Sequence, residues 1–364
     1  MKKTIQIIAT FSILALFLIA CDPTIHEYPA PCQSSVIIEP HVNREPPLYY
    51  KEVIYDEEGN STVKTLKEVP APPYTPSEEY QMRIILDIYQ EGTNNSSSRM
   101  KPDKTFERNI IYTDKDALPP QSNIQIDLPE GDYHVLAWAD YVYKDCPDSW
   151  HYYPDTLTNV KTNLRTYPEH THHRSTAAGQ ETFAIDFLLT PNGYPTTKSK
   201  SETPIQSRVI PIDLERPSGR YRVIASDFTD FINNGGSLEN ATIKVIYKQY
   251  VSVGYNVATQ EPNMFVSTYS FNTHPEDSSI DTNGDLTLFC DYLFTSYDKE
   301  DNILADFYFY DAEGNEINHS QNIKIPLKRN HETVIRGCFL TRKIGKDNNI
   351  DIDENFEGEY IITL

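Results

Sequence analysis

Apolar and polar residues along most of this chain alternate with a two-residue period or form short apolar runs between turn-forming residues. Residues 81–90 (QMRIILDIYQ) and 284–296 (GDLTLFCDYLFTS) are two such runs, and residues 123–143 hold two more around a Pro-Glu-Gly-Asp turn. The pattern predicts strands, including a hairpin whose turn is Glu58-Gly59-Asn60, and no long stretch has the 3.6-residue period of a helix. We therefore expect an all-β fold built of β-sandwiches.

Two segments of the chain share an internal repeat. Residues 126–141 (IDLPEGDYHVLAWADY) and residues 212–228 (IDLERPSGRYRVIASDF) both read Ile-Asp-Leu, a Pro/Gly turn, and then Tyr-x-Val before an Ala. The repeat predicts a tandem duplication of one β-domain. We place an N-terminal β-sandwich domain at residues 32–200 and a C-terminal β-sandwich domain at residues 201–364.

The N-terminus has the pattern of an export signal. Two lysines precede an apolar run, Ile5 to Ile19, which is shorter than the roughly 20 residues that a membrane-spanning helix needs. Leu18-Ile19-Ala20-Cys21 resembles the lipobox of bacterial lipoproteins. It predicts a signal peptide at residues 1–20, lipidation of Cys21 and a tether at residues 21–31. An ordinary secretory signal with a chance cysteine is the alternative.

The chain is strongly acidic, with a formal net charge of −21 at pH 7. This charge argues against a nucleic-acid partner, because DNA and RNA attract basic surfaces. It also disfavours electrostatic attachment to an anionic membrane, so the N-terminal lipid is the expected membrane contact.

Four further cysteines remain after Cys21. Cys32, Cys146, Cys290 and Cys338 have no C-x-x-C spacing, which argues against zinc. An exported chain can oxidise its thiols, so pairing within domains would give Cys32–Cys146 and Cys290–Cys338 disulfides. Buried free thiols are the equally weighted alternative.

The sequence has no recognisable catalytic pattern, such as His-Glu-x-x-His, Gly-x-Ser-x-Gly or a phosphate-binding glycine loop. We expect neither enzyme activity nor a cofactor. His170, His172 and His173 lie close together, but a solvated cluster is favoured over a metal site. Residues 281–285 (DTNGD) predict a turn before a strand rather than a calcium loop.

Aromatic residues are the candidates for ligand contact. Trp138 lies in a predicted strand and is expected in the core. Trp150, Tyr152 and Tyr153 lie in a loop, where exposed rings could stack on a glycan, although loop packing is favoured.

With these residues taken together, the chain resembles the fimbrillin-like lipoproteins, which include minor fimbrial subunits and fimbrial anchor proteins. The resemblance covers nearly the whole chain. It rests on the lipobox, on Cys32, on two Pro-x-Gly-x-Tyr-x-Val-x-Ala segments, and on residues 307–317 and 325–341. It implies two tandem transthyretin-like β-sandwiches of the immunoglobulin-like topology class.

The resemblance also implies a location and a role. It implies a surface-exposed lipoprotein of the outer membrane, acting as a fimbrial anchor or accessory subunit or as an adhesin, with fimbrial or other surface subunits as partners. Arg44 and Arg83 do not resemble the basic maturation site of polymerising fimbrillins, so an uncleaved subunit is favoured. We expect it to bind partners by β-strand addition at an open edge of the C-terminal domain. A surface glycan-binding lipoprotein is the alternative.

Overall fold

The computed structural model describes residues 33–56, 58–73, 76–90, 105–115, 123–146, 151–164, 171–185, 208–275, 280–281, 283–342 and 344. The predicted signal peptide, Cys21, the tether and Cys32 lie outside these residues, so they stay predictions. None of the helices in these ranges has the length and apolar composition needed to cross a membrane.

Strands dominate the described chain, which confirms the all-β sandwich prediction. The strands in these ranges are β1 Gln33–Val42, β2 Leu48–Tyr55, β3 Ser61–Thr65, β4 Tyr80–Gln90, β5 Thr105–Asp114, β6 Ile124–Pro129, β7 Gly131–Tyr143, β8 Tyr152–Tyr153, β9 Val160–Thr162, β10 Ala177–Ile185, β11 Arg208–Leu214, β12 Ser218–Ala225, β13 Thr242–Asn256, β14 Glu261–Thr273, β15 Leu286–Phe294, β16 Asp301–Tyr310, β17 Glu316–Leu327 and β18 His331–Gly337. The short helix α1 spans Phe228–Asn233, and a 3-10 helix spans Thr171–Arg174.

The first sandwich packs a sheet with the order β11-β1-β6 on a sheet with the order β10-β7-β4-β5. Strand β1 runs parallel to β11 and antiparallel to β6, so Ile38 lies opposite Ile210. Alternate side chains of both sheets point inward, and Ile38, Leu86 and Ile212 are fully buried in one apolar cluster. Each such side chain contributes about 1.5–3 kcal/mol through its removal from water.

The second sandwich packs a sheet with the order β15-β12-β18-β2-β3 on a sheet with the order β17-β16-β13-β9-β8, and β14 also pairs with β13. Its core is rich in aromatic rings. Phe289, Phe307 and Phe339 are buried, and successive rings in this series lie 5.3 and 6.2 Å apart in edge-to-face contact.

Three segments cross the predicted boundary at residue 200, and one of them is the β8–β9 pair, in which β9 lies beside β13 of the second sandwich. The β2–β3 hairpin, from the first half of the chain, joins the second sandwich because β2 pairs in parallel with β18. Strand β11, from the second half, joins the first sandwich beside β1. The two sandwiches therefore exchange strands and are not the continuous segments that the repeat predicts. The apolar pattern of a strand determines which face is buried, but not which strand lies beside it.

A third apolar cluster joins the two sandwiches. Trp138, on the outer face of β7, is fully buried there as predicted, and its ring contacts Tyr152 at 5.5 Å and Phe294 at 6.2 Å. Tyr255, at the far end of β13, lies in the same cluster. The second sandwich thus covers the outer face of the β10-β7-β4-β5 sheet, which would otherwise face water.

Three hairpin turns share one structure. In each, an Asp accepts a hydrogen bond from the main chain four residues later, and a Gly stands at the left-handed position with φ between 82° and 84°. The glycines are Gly59, Gly284 and Gly314, and glycine takes this conformation without the steric cost that a side chain adds. The predicted turns at residues 58–60 and 281–285 are both of this kind.

Candidate functional site: the open edge of strand β14

Strand β14 forms one edge of the second sandwich. It pairs antiparallel with β13 along almost its whole length, from Thr273 opposite Ile243 to Glu261 opposite Asn256. On its other side, β13 pairs with β16 and β9. Within the described part of the chain, β14 has no second strand partner, so a row of backbone N–H and C=O groups faces outward.

The end of β14 nearest its C-terminus is anchored in the core. Tyr269, Phe271 and Thr273 are buried, while the residues between them, Ser270 and Asn272, are exposed. This period of two is what the sequence pattern predicts for a strand with one face on a core. The anchored half holds the outer edge of the strand in a defined position.

The other half of β14 is exposed and apolar. Met264 and Phe265 are 43% and 57% exposed. A bulge in β13 places Gln249 and Tyr250 opposite Ser267 alone, with Gln249 at a φ of 63°. Tyr250, released from the ladder, is 59% exposed. Three large apolar side chains therefore lie on the surface of the same hairpin.

Beyond its first residue, Glu261, strand β14 lacks the charges that usually protect a sheet edge. No Asp, Glu, Lys or Arg occurs between Pro262 and Thr273. The edge strand β3 is short and carries Lys64, and the edge strand β5 carries Glu107 and Arg108. Natural sheets discourage pairing with other chains by means of such charges. The β14 edge is therefore well suited to accept an added strand.

The predicted glycan-contact aromatics do not form one exposed surface. Trp150 lies outside the described residues. Tyr152 is buried in the junction between the sandwiches, where its hydroxyl donates a hydrogen bond to the Arg174 carbonyl at 2.8 Å. Tyr153 is half-buried on β8. The expectation that Tyr152 contacts a ligand is wrong, because its ring is enclosed by Trp138 and Phe294.

The Cys290–Cys338 disulfide is also absent. Both thiols are free. Cys290 on β15 lies opposite Arg222 on β12, and Arg222 lies opposite Val334 on β18. Two strand spacings separate β15 from β18 by about 9–10 Å, whereas a disulfide requires Cα atoms within about 7 Å. Cys146 is an exposed free thiol, and its predicted partner Cys32 lies outside the described residues.

The histidine cluster is only partly described. His173 is buried and stacks on Tyr80, with ring centroids 3.7 Å apart. His170 and the side chain of His172 lie outside the described residues. Of the arginines considered as maturation sites, Arg83 is buried on β4 and forms a two-bond ion pair with Asp140, at 2.9 and 2.6 Å. Arg44 lies in the β1–β2 connection.

A buried polar network near the β13–β14 hairpin was not expected from the sequence. Arg174, on the 3-10 helix, binds Asp291 of β15 at 2.7 Å, and the Tyr247 hydroxyl donates to the same carboxylate at 2.5 Å. Burial raises the pKa of Asp291 against the attraction of Arg174. Burial alone would lower the pKa of Arg174, but the Asp291 carboxylate raises it. Since Tyr247 belongs to β13, this network fixes the strand on which β14 pairs.

A family model matches residues 54–364, which is most of the chain. The chain belongs to a family of unknown function, DUF6562. No curated protein matches the sequence. The matched residues include β3 to β18, and therefore β14, but not β1 or most of β2.

Solved structures similar to this DUF6562 chain include three that cover most of its length. A candidate adhesin of Bacteroides thetaiotaomicron is 13% identical over 86% of this chain and 95% of its own, with a TM-score of 0.40. The fimbrial anchor protein Mfa2 of Porphyromonas gingivalis is 12% identical over 80% and 82%, with a TM-score of 0.37. A candidate polysaccharide-binding protein of B. thetaiotaomicron is 11% identical over 75% and 80%, with a TM-score of 0.35. At these values the similarity does not establish a shared function.

Proposed function

We propose that this protein is a non-catalytic, lipid-anchored surface subunit that binds an extended segment of a partner protein along β14. A fimbrial anchor or accessory subunit, or an adhesin, would act in this way. The observation that carries the proposal is the uncharged open edge from Pro262 to Thr273. The resemblance of the sequence to fimbrillin-like lipoproteins supports the same role.

Strand addition would use both halves of β14. Backbone groups along the edge would form a ladder with the incoming strand, and these bonds depend little on the partner's sequence. Phe265 and Met264 would give the contact its selectivity by packing against apolar side chains of the partner. The anchored half around Phe271 would keep the edge in place, so little ordering would be required on binding.

Site-specific photocrosslinking in the native cell tests the proposal. A photoreactive amino acid at Phe265 or Ser270 should capture the same surface protein. The matched control is Val63 on the edge strand β3, which is 53% exposed against 57% for Phe265. A photoreactive amino acid at Val63 should capture no protein. Phe265→Lys should abolish the crosslink from Ser270, and Val63→Lys should not. Equal crosslinking from Val63, or no crosslink from either β14 position, would contradict the proposal.

Lipid anchoring at Cys21 is a separate part of the proposal. Cys21→Ser should prevent acylation and processing at the lipobox, because the thiol is the acceptor of the lipid. Metabolic labelling with a fatty acid and detergent phase partitioning of cell fractions measure this. Retention of both label and outer-membrane location in the variant would disprove the anchor and leave the β14 result unaffected.

The glycan-binding alternative depends on Trp150, outside the described residues, and on the half-buried Tyr153. No described contact favours it over strand addition.

A further inference from the structure

A cleft opens at the junction of the two sandwiches, where the β1–β2 connection passes in front of β12 and the start of β10. Arg44, Thr176, Arg216, Arg220 and Tyr292 are among its lining residues. None of them belongs to β14, so the cleft is independent of the proposed strand-binding edge. Its lining is basic, whereas the chain as a whole has a net charge of −21.

Arg216 is a buried cation whose described partners are neutral. Only 7% of the surface of Arg216 is exposed to solvent. Its guanidinium donates hydrogen bonds to the Asn330 side chain at 2.5 Å and to the Glu45 carbonyl at 3.1 Å. Among the described ion pairs, none supplies a carboxylate to Arg216. Burial lowers the pKa of Arg216, since the charged form is poorly solvated there. A buried charge without a counter-ion is costly, and an anion in the cleft would remove that cost.

The neighbouring arginines add further positive charge. Arg44, at the rim, donates to the Lys115 carbonyl at 2.7 Å and takes part in no described ion pair. Arg220 and Arg222 share one carboxylate, Glu332.

The only carboxylate lining the cleft, within the described residues, is already neutralised. It belongs to Asp140, which Arg83 binds through two hydrogen bonds. The guanidinium groups at and around the cleft are those of Arg44, Arg83, Arg216, Arg220 and Arg222, and the carboxylates paired with them are those of Asp140 and Glu332. Five positive charges against two negative charges leave an excess of three positive charges.

A buried hydroxyl in the cleft points to the same kind of ligand. Thr176 is only 5% exposed, and its Oγ1 has no hydrogen-bond partner within the described structure. A buried polar atom of this kind is normally satisfied by a protein group, a water or a ligand. Since a threonine hydroxyl can donate to an anionic oxygen, it complements the guanidiniums.

We propose that this cleft binds a tetrahedral oxyanion, namely the sulfate or phosphate group of a small molecule. Arg216 and Arg220 donate to its oxygens from the buried side, Thr176 donates through its hydroxyl, and Arg44 covers it from the rim. Guanidinium groups match the geometry of such oxyanions with paired N–H donors. The excess of three positive charges favours a dianion over a carboxylate.

Calorimetric titration of the purified mature chain at constant ionic strength tests this proposal. The probes are inorganic sulfate, inorganic phosphate, glucose 6-sulfate and acetate. Saturable binding of an inorganic dianion or of the sugar ester supports the proposal. Binding of the ester alone would identify the sugar as part of the ligand. Equal affinity for acetate, or no saturable binding of any probe, would overturn it.

Variants separate the site from general charge. Thr176→Val preserves the shape of the side chain and removes the donor, so it should weaken binding about tenfold or more. Arg44→Gln, at the exposed rim, should also weaken it without affecting the core. The control is Arg208→Gln, an exposed arginine that donates to the Ala184 carbonyl away from the cleft. Equal weakening in Arg208→Gln, or unchanged affinity in both cleft variants, would overturn the assignment.

Discussion

Asp291 illustrates what a single residue can reveal. All nine residues of β15 are buried, and Asp291 is the one charged side chain among them. A carboxylate within an apolar run implies a buried partner, because an isolated buried charge is too costly. The sequence cannot name that partner, since Arg174 lies 117 residues away and meets Asp291 only when the sandwiches dock.

Asp291→Asn should lower the free energy of unfolding by about 3–5 kcal/mol, because it leaves the Arg174 guanidinium buried without its counter-charge. Urea denaturation of the purified chain measures the change. The control is Glu68→Gln, which removes exposed contacts of this carboxylate with Lys328 at 3.5 Å and His331 at 3.4 Å and should cost less than about 1 kcal/mol.

Replacing both members of the buried pair, with Arg174→Met and Asp291→Leu, should recover part of the loss, since no unpaired charge then remains. A loss in Asp291→Asn no greater than that in Glu68→Gln would show that the pair does not hold the sandwiches together.

Two aromatic residues show what the alternation of apolar and polar residues can predict and what it cannot. Trp138 lies in a clear strand, and its burial follows from the pattern. Tyr152 lies in a segment without period that the sequence predicts as a loop, whereas the structure forms the two-residue strand β8 there and encloses its ring at the junction. Local pattern carries information about the faces of long regular elements, whereas the contacts of such short segments depend on docking.

At the scale of elements, the β2–β3 hairpin has the greatest structural consequence. Strand β2 covers the edge of β18 through a parallel ladder in which Val53 lies opposite Ile335, and both side chains are buried. The hairpin is readable from the sequence, including its Gly59 turn. The sequence does not show which sandwich the hairpin joins, because parallel partners are joined by long connections and the pattern of β2 would suit either sandwich.

A fragment comprising residues 201–364 should therefore fold poorly on its own. It lacks β2 and β3, so β18 becomes an open edge and the core loses Val53 and Tyr55. Circular dichroism and size-exclusion chromatography should show aggregation or a broad unfolding transition. Coexpression of residues 44–66 should restore part of the solubility and cooperativity, while the complex still lacks β8, β9 and the Arg174 partner of Asp291.

The matched control for this experiment is coexpression of residues 81–90, which form the central β4 of the first sandwich and should not rescue the fragment. A fragment that unfolds as cooperatively as the whole chain would indicate that the second sandwich does not need the hairpin.

At the scale of the whole molecule, buried tyrosines couple stability to alkaline pH. Burial raises the pKa of Tyr55 and Tyr255 from 10.0 to about 12. Burial likewise raises the pKa of Tyr221 and Tyr247, whose hydroxyls lie 2.7 Å apart. Above pH 10 the unfolded chain loses these hydroxyl protons, whereas the folded state keeps them. The stabilising contribution of the buried hydroxyls is therefore complete below pH 10 and is lost at higher pH.

The free energy of unfolding should consequently fall as the pH rises from about 10 towards 12, by up to about 2–3 kcal/mol for each of Tyr55 and Tyr255. Urea midpoints measured across this interval, with tyrosinate absorbance in parallel, test the expectation. Tyr55→Phe, which cannot ionise, should flatten the slope. Ionisation of all the tyrosines near pH 10 without loss of structure would contradict it.

The sequence by itself determined the strand character of the chain, the hairpin turns and the inward faces of strands such as β4 and β14. These properties depend on alternation, on glycine at left-handed positions and on residues close together in the chain. It also contained the uncharged stretch from Pro262 to Thr273. Only the tertiary structure decided that this stretch is an edge, that β2 and β11 exchange between sandwiches, and that Cys290 and Cys338 are too far apart to pair. Strand neighbours and junction contacts depend on residues distant in sequence, and no local pattern encodes them.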